Sequence, residues 1–321
     1  MNQTNIIKAG MACAWMVCTA TGISTKCAAR EPESVKGLFP EDVKTVGILM
    51  PSSVLDRKIL DRNVGMLEKA GYKVKLGDYV RVEKRAPAED RVKDFEKLWL
   101  DPEVDVLFMA RGGQGAADII GKIDWSRLRA RNMRVIGFSD ITLILNTMLA
   151  EKAGRPYSGP SLSAFTRWDE DSRRWFRKVL DGAPLEPVKV NVLKPGSASG
   201  LPMGGHLTRM YALTKTRFAP STAGRIVFFE CTARYPVDEI RTDLENMRES
   251  GYLKPAAAIV FADFRHKGDE RKRLDEFLAA FAQTLPYPVF SGYPYGHCPK
   301  SYLIDFSREL VISPDGIIRA K

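Results

Sequence analysis

The chain has 321 residues, 45% hydrophobic and 27% charged, a balance that fills ordinary cores and excludes a disordered or fibrous polymer. Its net charge of +10 is spread among acids and apolar positions, as on solvated helix faces, and no zinc-finger spacing, RNA-binding aromatic motif or basic zipper accompanies it, so nucleic-acid binding is not expected. Beyond the first thirty residues no apolar run approaches the roughly 20 residues that span a bilayer.

Residues 1–29 read as an export signal. Lys8 is the lone charge before Lys26, Ala9 to Ser24 is moderately apolar, and Cys27-Ala28-Ala29 offers small residues ahead of a cut after Ala29. A disordered or buried N-terminal tail is the competing reading. Export places the mature chain in the periplasm; without it the chain stays cytoplasmic. Cys27 follows Ser24-Thr25-Lys26, which is no lipobox. Cys13, Cys18 and Cys27 fall in this segment, so Cys231 and Cys298 alone remain and build no disulfide framework.

The body of the chain alternates short apolar strands with amphipathic helices. Thr45 to Met50 reads as a buried strand, Val54 to Ala70 as a helix stopped at Gly71, and Lys73 to Leu76 as a second strand. Ala88 to Leu100 is a helix, Asp105 to Ala110 a third buried strand, and Arg134 to Phe138 a fourth. A helix with Ile141, Leu145 and Met148 on one face follows. Tyr157 to Ser161 reads as a turn, and Asp171 to Leu180 as a short helix. This order predicts βαβ units on a parallel, Rossmann-like sheet over residues 40–183.

Composition then shifts. Gly182 to Gly205 holds four prolines and five glycines around one strand, Val188 to Leu193, so residues 184–204 read as an inter-domain connection. Residues 205–321 resume the pattern: a helix from His206 to Leu213, a strand from Arg225 to Glu230, and a helix from Pro236 to Gly251. A strand over Ala256 to Asp263, a helix over Asp269 to Thr284 and a strand over Pro288 to Ser291 complete it. From Leu303 the tail reads as β-structure with a hairpin at Ser313 to Gly316. The fold class is therefore α/β in two domains, the second with a β-rich tail.

Three strand ends carry chemistry-bearing residues. The third runs into Arg111-Gly112-Gly113-Gln114-Gly115, whose glycines let backbone N–H groups approach a ligand, although the spacing fits neither a dinucleotide fingerprint nor a phosphate loop. The fourth ends at Ser139, which sits at a strand-to-helix turn without the full G-x-S-x-G pattern. Ser139 has two readings, a helix cap or an exposed nucleophile. Glu230 closes its strand, and His297 lies in the turn Gly292 to His297. His266, among Arg265, Lys267 and Asp269, reads as surface. No histidine pair or cysteine cluster has metal-ligand spacing, so neither a metal nor another cofactor is expected.

Seven motifs occur in order: VGILMPSS from Val46, RGGQG at Arg111, IGFSDIT at Ile136, SGPS at Ser158, PMGGHL at Pro202, VFFE at Val227 and YGH at Tyr295. In these the sequence resembles the LD-carboxypeptidases, the muramoyltetrapeptide carboxypeptidases with the related microcin-immunity peptidases. The resemblance implies a serine peptidase in which Ser139 is nucleophile, His297 base and Glu230 its orienting carboxylate. It also implies an oxyanion hole from the backbone N–H groups of Gly113 and Asp140, a site between two domains, no cofactor, and a homodimer. Three loops depart from the family pattern: Gln114 replaces a tyrosine, Ser158 a histidine, and His206 an asparagine. With Arg111, these are the expected substrate contacts; His206 equally reads as a helix cap. Cys231 and Cys298 each follow a triad position, and their pairing is left open. The implied reaction is release of terminal D-alanine from peptidoglycan tetrapeptides. The alternatives are cleavage of an acyl-adenylate amide, which export disfavours, and a silent muropeptide-binding protein.

Overall fold

The apolar runs around Val46, Val106 and Val135 pair side by side in the computed structural model, which describes Val35 and residues 37–321. The export reading of residues 1–29, with Cys13, Cys18 and Cys27, lies outside the described residues. The first half runs β1 (Thr45–Leu49), α1 (Arg57–Lys69), β2 (Lys73–Leu76), α2 (Ala88–Leu100) and β3 (Val106–Met109). It continues through α3 (Ala117–Ile120), α4 (Trp125–Leu128), β4 (Arg134–Gly137), α5 (Thr142–Glu151), β5 (Arg155–Ser158) and α6 (Glu170–Leu180). β1 to β5 are mutually parallel in the order β5-β4-β3-β1-β2, so their carboxyl ends share one edge, where doubly wound sheets bind ligands.

The second half begins with β6 (Val188–Lys189), β7 (Asn191–Lys194), β8 (Ala198–Gly200), β9 (Pro202–His206) and α7 (Leu207–Thr214). Then come β10 (Ile226–Glu230), α8 (Val237–Glu249), β11 (Ala258–Phe261), α9 (Gly268–Gln283) and β12 (Val289–Ser291). The chain closes with β13 (Ile304–Asp305), β14 (Leu310–Ile312) and β15 (Ile317–Ala320). β9 to β12 form a second parallel sheet, with β7 antiparallel at its edge. β6, β15, β14 and β8 form a small antiparallel sheet, and β13 returns to pair antiparallel with β5 in the first.

Four sequence readings are corrected. Residues 157–158, read as the start of a turn, close strand β5 (Arg155–Ser158), whose Pro156 lies within the parallel pairing with β4. Residues 184–204 are not a bare connection: they contribute β6, β7, β8 and most of β9 to two sheets. The single strand expected over Val188 to Leu193 is two strands, broken at Val190. His206 ends β9 instead of opening the helix, which starts at Leu207.

α5 sits at the centre of the described chain. Seven consecutive residues, Thr142 to Met148, are buried, so no face of that stretch is left to water. Ile141, just before it, is buried against β4, where a β-carbon on Gly137 would stand 2.8 Å from Ile141 Cγ2. From its other side, Asn146 Nδ2 donates to the carbonyl of Gly204 at 2.9 Å, and its Oδ1 accepts from the Gly204 N–H at 3.2 Å. Thr142 Oγ1 accepts from the His206 N–H at 3.0 Å. These bonds satisfy backbone groups at the edge strand β9, so the serine-bearing turn and the His206 end of β9 are held through one helix. The described residues accordingly cluster as one compact unit.

Candidate active site

β4 ends in extended backbone at Phe138, and the next residue, Ser139, has φ 63, the left-handed region that side chains with a β-carbon avoid. A short 3-10 turn, Ser139–Ile141, then leads into α5. This sharp turn keeps the Ser139 hydroxyl out of the helix. It caps nothing; Oγ–H points to Nε2 of His297 at 3.1 Å. His297 Nδ1–H in turn donates to Glu230 Oε2 at 2.7 Å. A carboxylate only accepts, so the proton belongs on Nδ1, which leaves the Nε2 lone pair for the serine. The three residues come from positions 139, 230 and 297, and the fold brings them into one hydrogen-bonded chain.

Each member is held from behind. Glu230 is 0% exposed at the end of β10, and its Oε1 has no hydrogen-bond partner among the described residues. The imidazole is thus the one donor that carboxylate meets there. A β-carbon on Gly296 would stand 2.7 Å from Glu230 Oε2, so the turn preceding His297 requires glycine. Beyond His297 the chain is pinned to α6: the Ser301 N–H donates to Ser172 Oγ at 3.0 Å, and Tyr302 stacks on Trp175 with centroids 4.1 Å apart. Phe138 packs against the imidazole at 4.7 Å between centroids.

Asp140 is a second hub. It is 2% exposed and accepts from Ser52 Oγ at 2.6 Å and from the Ala116 N–H at 2.9 Å. Its other oxygen pairs with Arg209 Nε at 2.8 Å. One carboxylate thereby ties the loop after β1, the end of the glycine loop and the first turn of α7 around Ser139. In the glycine loop itself, the Gln114 N–H donates to Ser53 Oγ at 3.0 Å, and Gly113 has φ 109.

These groups open on a cleft of about 560 Å³. Arg111, Arg167, Arg209 and Arg234 border it, so anions are drawn in. Arg209 is neutralised by Asp140, and Arg111 donates to the Val54 carbonyl at 2.7 Å. Arg167 and Arg234 are exposed and have no hydrogen bond or ion pair among the described residues. The sequence reading missed Arg167, Arg209 and Arg234. The signal available was position: Arg209 lies three residues past His206, and Arg234 four past Glu230.

Of the expected substrate contacts, Arg111, Gln114 and His206 line the cleft. Ser158 is corrected: it is 0% exposed, away from the cleft lining, and its hydroxyl shares a 2.6 Å hydrogen bond with the Tyr295 hydroxyl. His206 occupies the position before α7, yet its side chain does not cap the helix; Nδ1 pairs with Thr208 Oγ1 at 3.1 Å. Burial pushes its pKa down to about 4, so it stands neutral beside His297, 5.7 Å away between ring centroids. His266 is also corrected. It is buried, with Nδ1 2.7 Å from the Phe264 carbonyl and Nε2 2.8 Å from that of Tyr235. Cys231 and Cys298 are both free thiols. Burial raises the Cys231 pKa and pushes that of Cys298 up to about 12, so neither is a thiolate nucleophile at neutral pH. Among the described residues no group of three His, Cys, Asp or Glu side chains is arranged to hold a metal ion.

With this geometry in view, known proteins give a consistent answer. The LD-carboxypeptidase N-terminal domain signature matches residues 46–158, and the C-terminal domain signature matches residues 199–310. The chain belongs to the LD-carboxypeptidase family. It is a serine-type carboxypeptidase by that membership. A probable murein peptide carboxypeptidase of Bacillus subtilis is 28% identical over 293 residues, 84% of this chain and 91% of the relative. The murein tetrapeptide carboxypeptidase of Pseudomonas aeruginosa is 26% identical, over 83% of this chain and 92% of its own. Among solved structures, a muramoyltetrapeptide carboxypeptidase from Oxalobacter formigenes superposes with TM-score 0.77 at 24% identity, covering 86% of this chain and 97% of the other. The microcin C7 self-immunity protein superposes with TM-score 0.78 at 18% identity, over 88% and 97%. Both establish the shared fold.

Proposed function

We propose that this family member releases the terminal D-alanine from L,D-linked peptidoglycan tetrapeptides, leaving tripeptides, in murein turnover. The observation that carries it is the Ser139–His297–Glu230 chain opening on a cleft bordered by four arginines. Cell-wall tetrapeptides carry several free carboxylates, and the named murein relatives support that substrate class.

The chemistry follows from the hydrogen bonds. Ser139 Oγ attacks the scissile carbonyl carbon while its proton passes to His297 Nε2. Glu230, bonded to Nδ1–H, stabilises the imidazolium that forms. The carbonyl oxygen becomes an oxyanion facing the backbone N–H groups of Gly113 and Asp140. The C–N bond then breaks, Nε2–H protonates the leaving amine, and an acyl-enzyme on Ser139 remains. Water attacks it with His297 as base, freeing the serine and the tripeptide carboxylate. None of these steps calls on a metal or cofactor. We place the reaction in the periplasm, on the strength of the apolar stretch Ala9 to Ser24.

A side-by-side assay tests this reading. Purified protein is given a muramyl tetrapeptide and, separately, an aminoacyl sulfamoyl adenosine, and products are identified by mass. Tripeptide and D-alanine from the first substrate, at much the higher kcat/KM, is the expected result. Cleavage of the nucleotide conjugate alone would make the chain an immunity-type peptidase. Tight tetrapeptide binding without turnover would make it a muropeptide-binding protein.

A further inference from the structure

The main cleft does not end at His297. A second pocket of about 310 Å³ adjoins it, and the two share Phe138, Ala164, Arg167 and His297 as a common wall. The glycine loop and Ser139 line the main cleft alone, whereas Gly296 and Cys298 line the second pocket alone. The second pocket therefore lies on the histidine side of the nucleophile, and its size is at the small end of ligand sites.

The direction of proton transfer fixes what belongs there. The group that His297 protonates is the leaving amine, so the leaving residue lies on the histidine side, away from the oxyanion donors. In a carboxypeptidase that residue carries its free carboxylate one carbon from the amine. The anion must then fall within a few ångströms of His297, where a planar guanidinium can grip both oxygens.

Five arginines border the two pockets, and four are spoken for or misplaced. Arg209 is bound by Asp140, Arg111 holds a backbone carbonyl, and Arg265 pairs with Asp263 at 3.5 Å. Arg234 lines the main cleft only. Arg167 remains: it borders both pockets and has no hydrogen bond or ion pair among the described residues. We propose that Arg167 binds the free carboxylate of the leaving amino acid in the second pocket and so makes this site an exopeptidase. This rests on the carboxypeptidase reading above.

The test compares two substrates, a muramyl tetrapeptide ending in D-alanine and the same peptide ending in D-alaninamide. Wild type is expected to prefer the free acid by on the order of 10- to 100-fold in kcat/KM, the usual strength of a charge-assisted hydrogen-bond pair. In Arg167→Ala that preference collapses towards unity, chiefly through a raised KM for the acid, and Arg167→Lys restores part of it. Arg265→Ala keeps the preference. Thermal unfolding of each variant checks that the fold is intact. An acid preference unchanged in Arg167→Ala, or one lost in Arg265→Ala instead, overturns the assignment while leaving the carboxypeptidase reading standing. No cleavage of either peptide by wild type removes both.

Discussion

Gly112 stands directly behind Ser139: a β-carbon at Gly112 would lie 2.8 Å from Ser139 Cβ and 3.1 Å from Ser139 Oγ. Real β-carbons do not approach so closely, so Gly112→Ala must push the serine off its line to His297. Displacements of about 1 Å in a catalytic group cost on the order of 10²-fold. Gly112→Ala is expected to lose about that much kcat/KM while remaining folded. The control is Gly65→Ala in the middle of α1, where a β-carbon meets nothing within 4 Å. That variant should retain full activity and gain roughly 0.5–1 kcal/mol of stability.

Ser139 itself is strained at φ 63. The strain holds the hydroxyl at the tip of the strand-to-helix turn, and glycine would relieve it at about 1 kcal/mol. Ser139→Ala and Ser139→Gly both lack the hydroxyl, so their difference isolates the backbone. The glycine variant is expected to unfold at higher urea concentration than the alanine variant, both being inactive. Equal midpoints would show that the turn carries no such strain.

Asp140 joins three chain segments through Ser52, Ala116 and Arg209. Asp140→Asn keeps the size and removes the charge, leaving Arg209 without its counter-ion. The expected cost is about 2–4 kcal/mol, read as a lower urea midpoint at unchanged slope. Activity should fall as well, because the Asp140 N–H and the glycine loop are positioned by the same contacts.

His206 gives the site a pH signature. Its pKa is lowered by burial to about 4 from the ordinary 6.5, so between those values the unfolded chain binds a proton that the folded chain refuses. Stability is therefore expected to rise as pH climbs from 4 to 6.5 and to fall on acidification, by about 3 kcal/mol at most. Asp243, its pKa raised by burial to about 6, works with the opposite sign as pH rises from its ordinary 3.8. The clean measurement is thus a difference: the melting temperature of wild type should drop more steeply below pH 6.5 than that of His206→Asn. Parallel curves would contradict a buried neutral imidazole.

The parallel-sheet architecture was legible because its central strands are uninterrupted apolar runs, as at Val106 to Met109 and Ile226 to Phe229. Strands at the margins were not. β9 carries Pro202, Gly204 and Gly205, a composition that reads as loop, yet it is an edge strand that tolerates proline and packs so tightly that a β-carbon on Gly204 would stand 2.0 Å from the Phe228 carbonyl oxygen. His266 was misread for a similar reason: its charged neighbours signal surface, but the ring turns inward to the carbonyls of nearby Phe264 and of Tyr235, 31 positions away. At the site, Ser139, Glu230 and His297 were visible as polar residues that follow or close apolar strands or end a glycine turn. Asp140's two hydrogen bonds to Ser52 and Ala116 and its ion pair with Arg209 were not, because the partners lie 24 to 88 positions away. Arg167 likewise sits in a stretch whose sequence offers no motif.

The central claim is that Ser139 is the nucleophile for release of D-alanine. Quantifying free D-alanine and tripeptide after incubation of a muramyl tetrapeptide with wild type, Ser139→Ala and Glu230→Gln tests it most directly. The account predicts stoichiometric release by wild type, none above background by Ser139→Ala, and a rate reduced on the order of 10³- to 10⁴-fold for Glu230→Gln, which keeps its shape but loses the charge that steadies the imidazolium. Release by Ser139→Ala at the wild-type rate, or no release by correctly folded wild type, would contradict it.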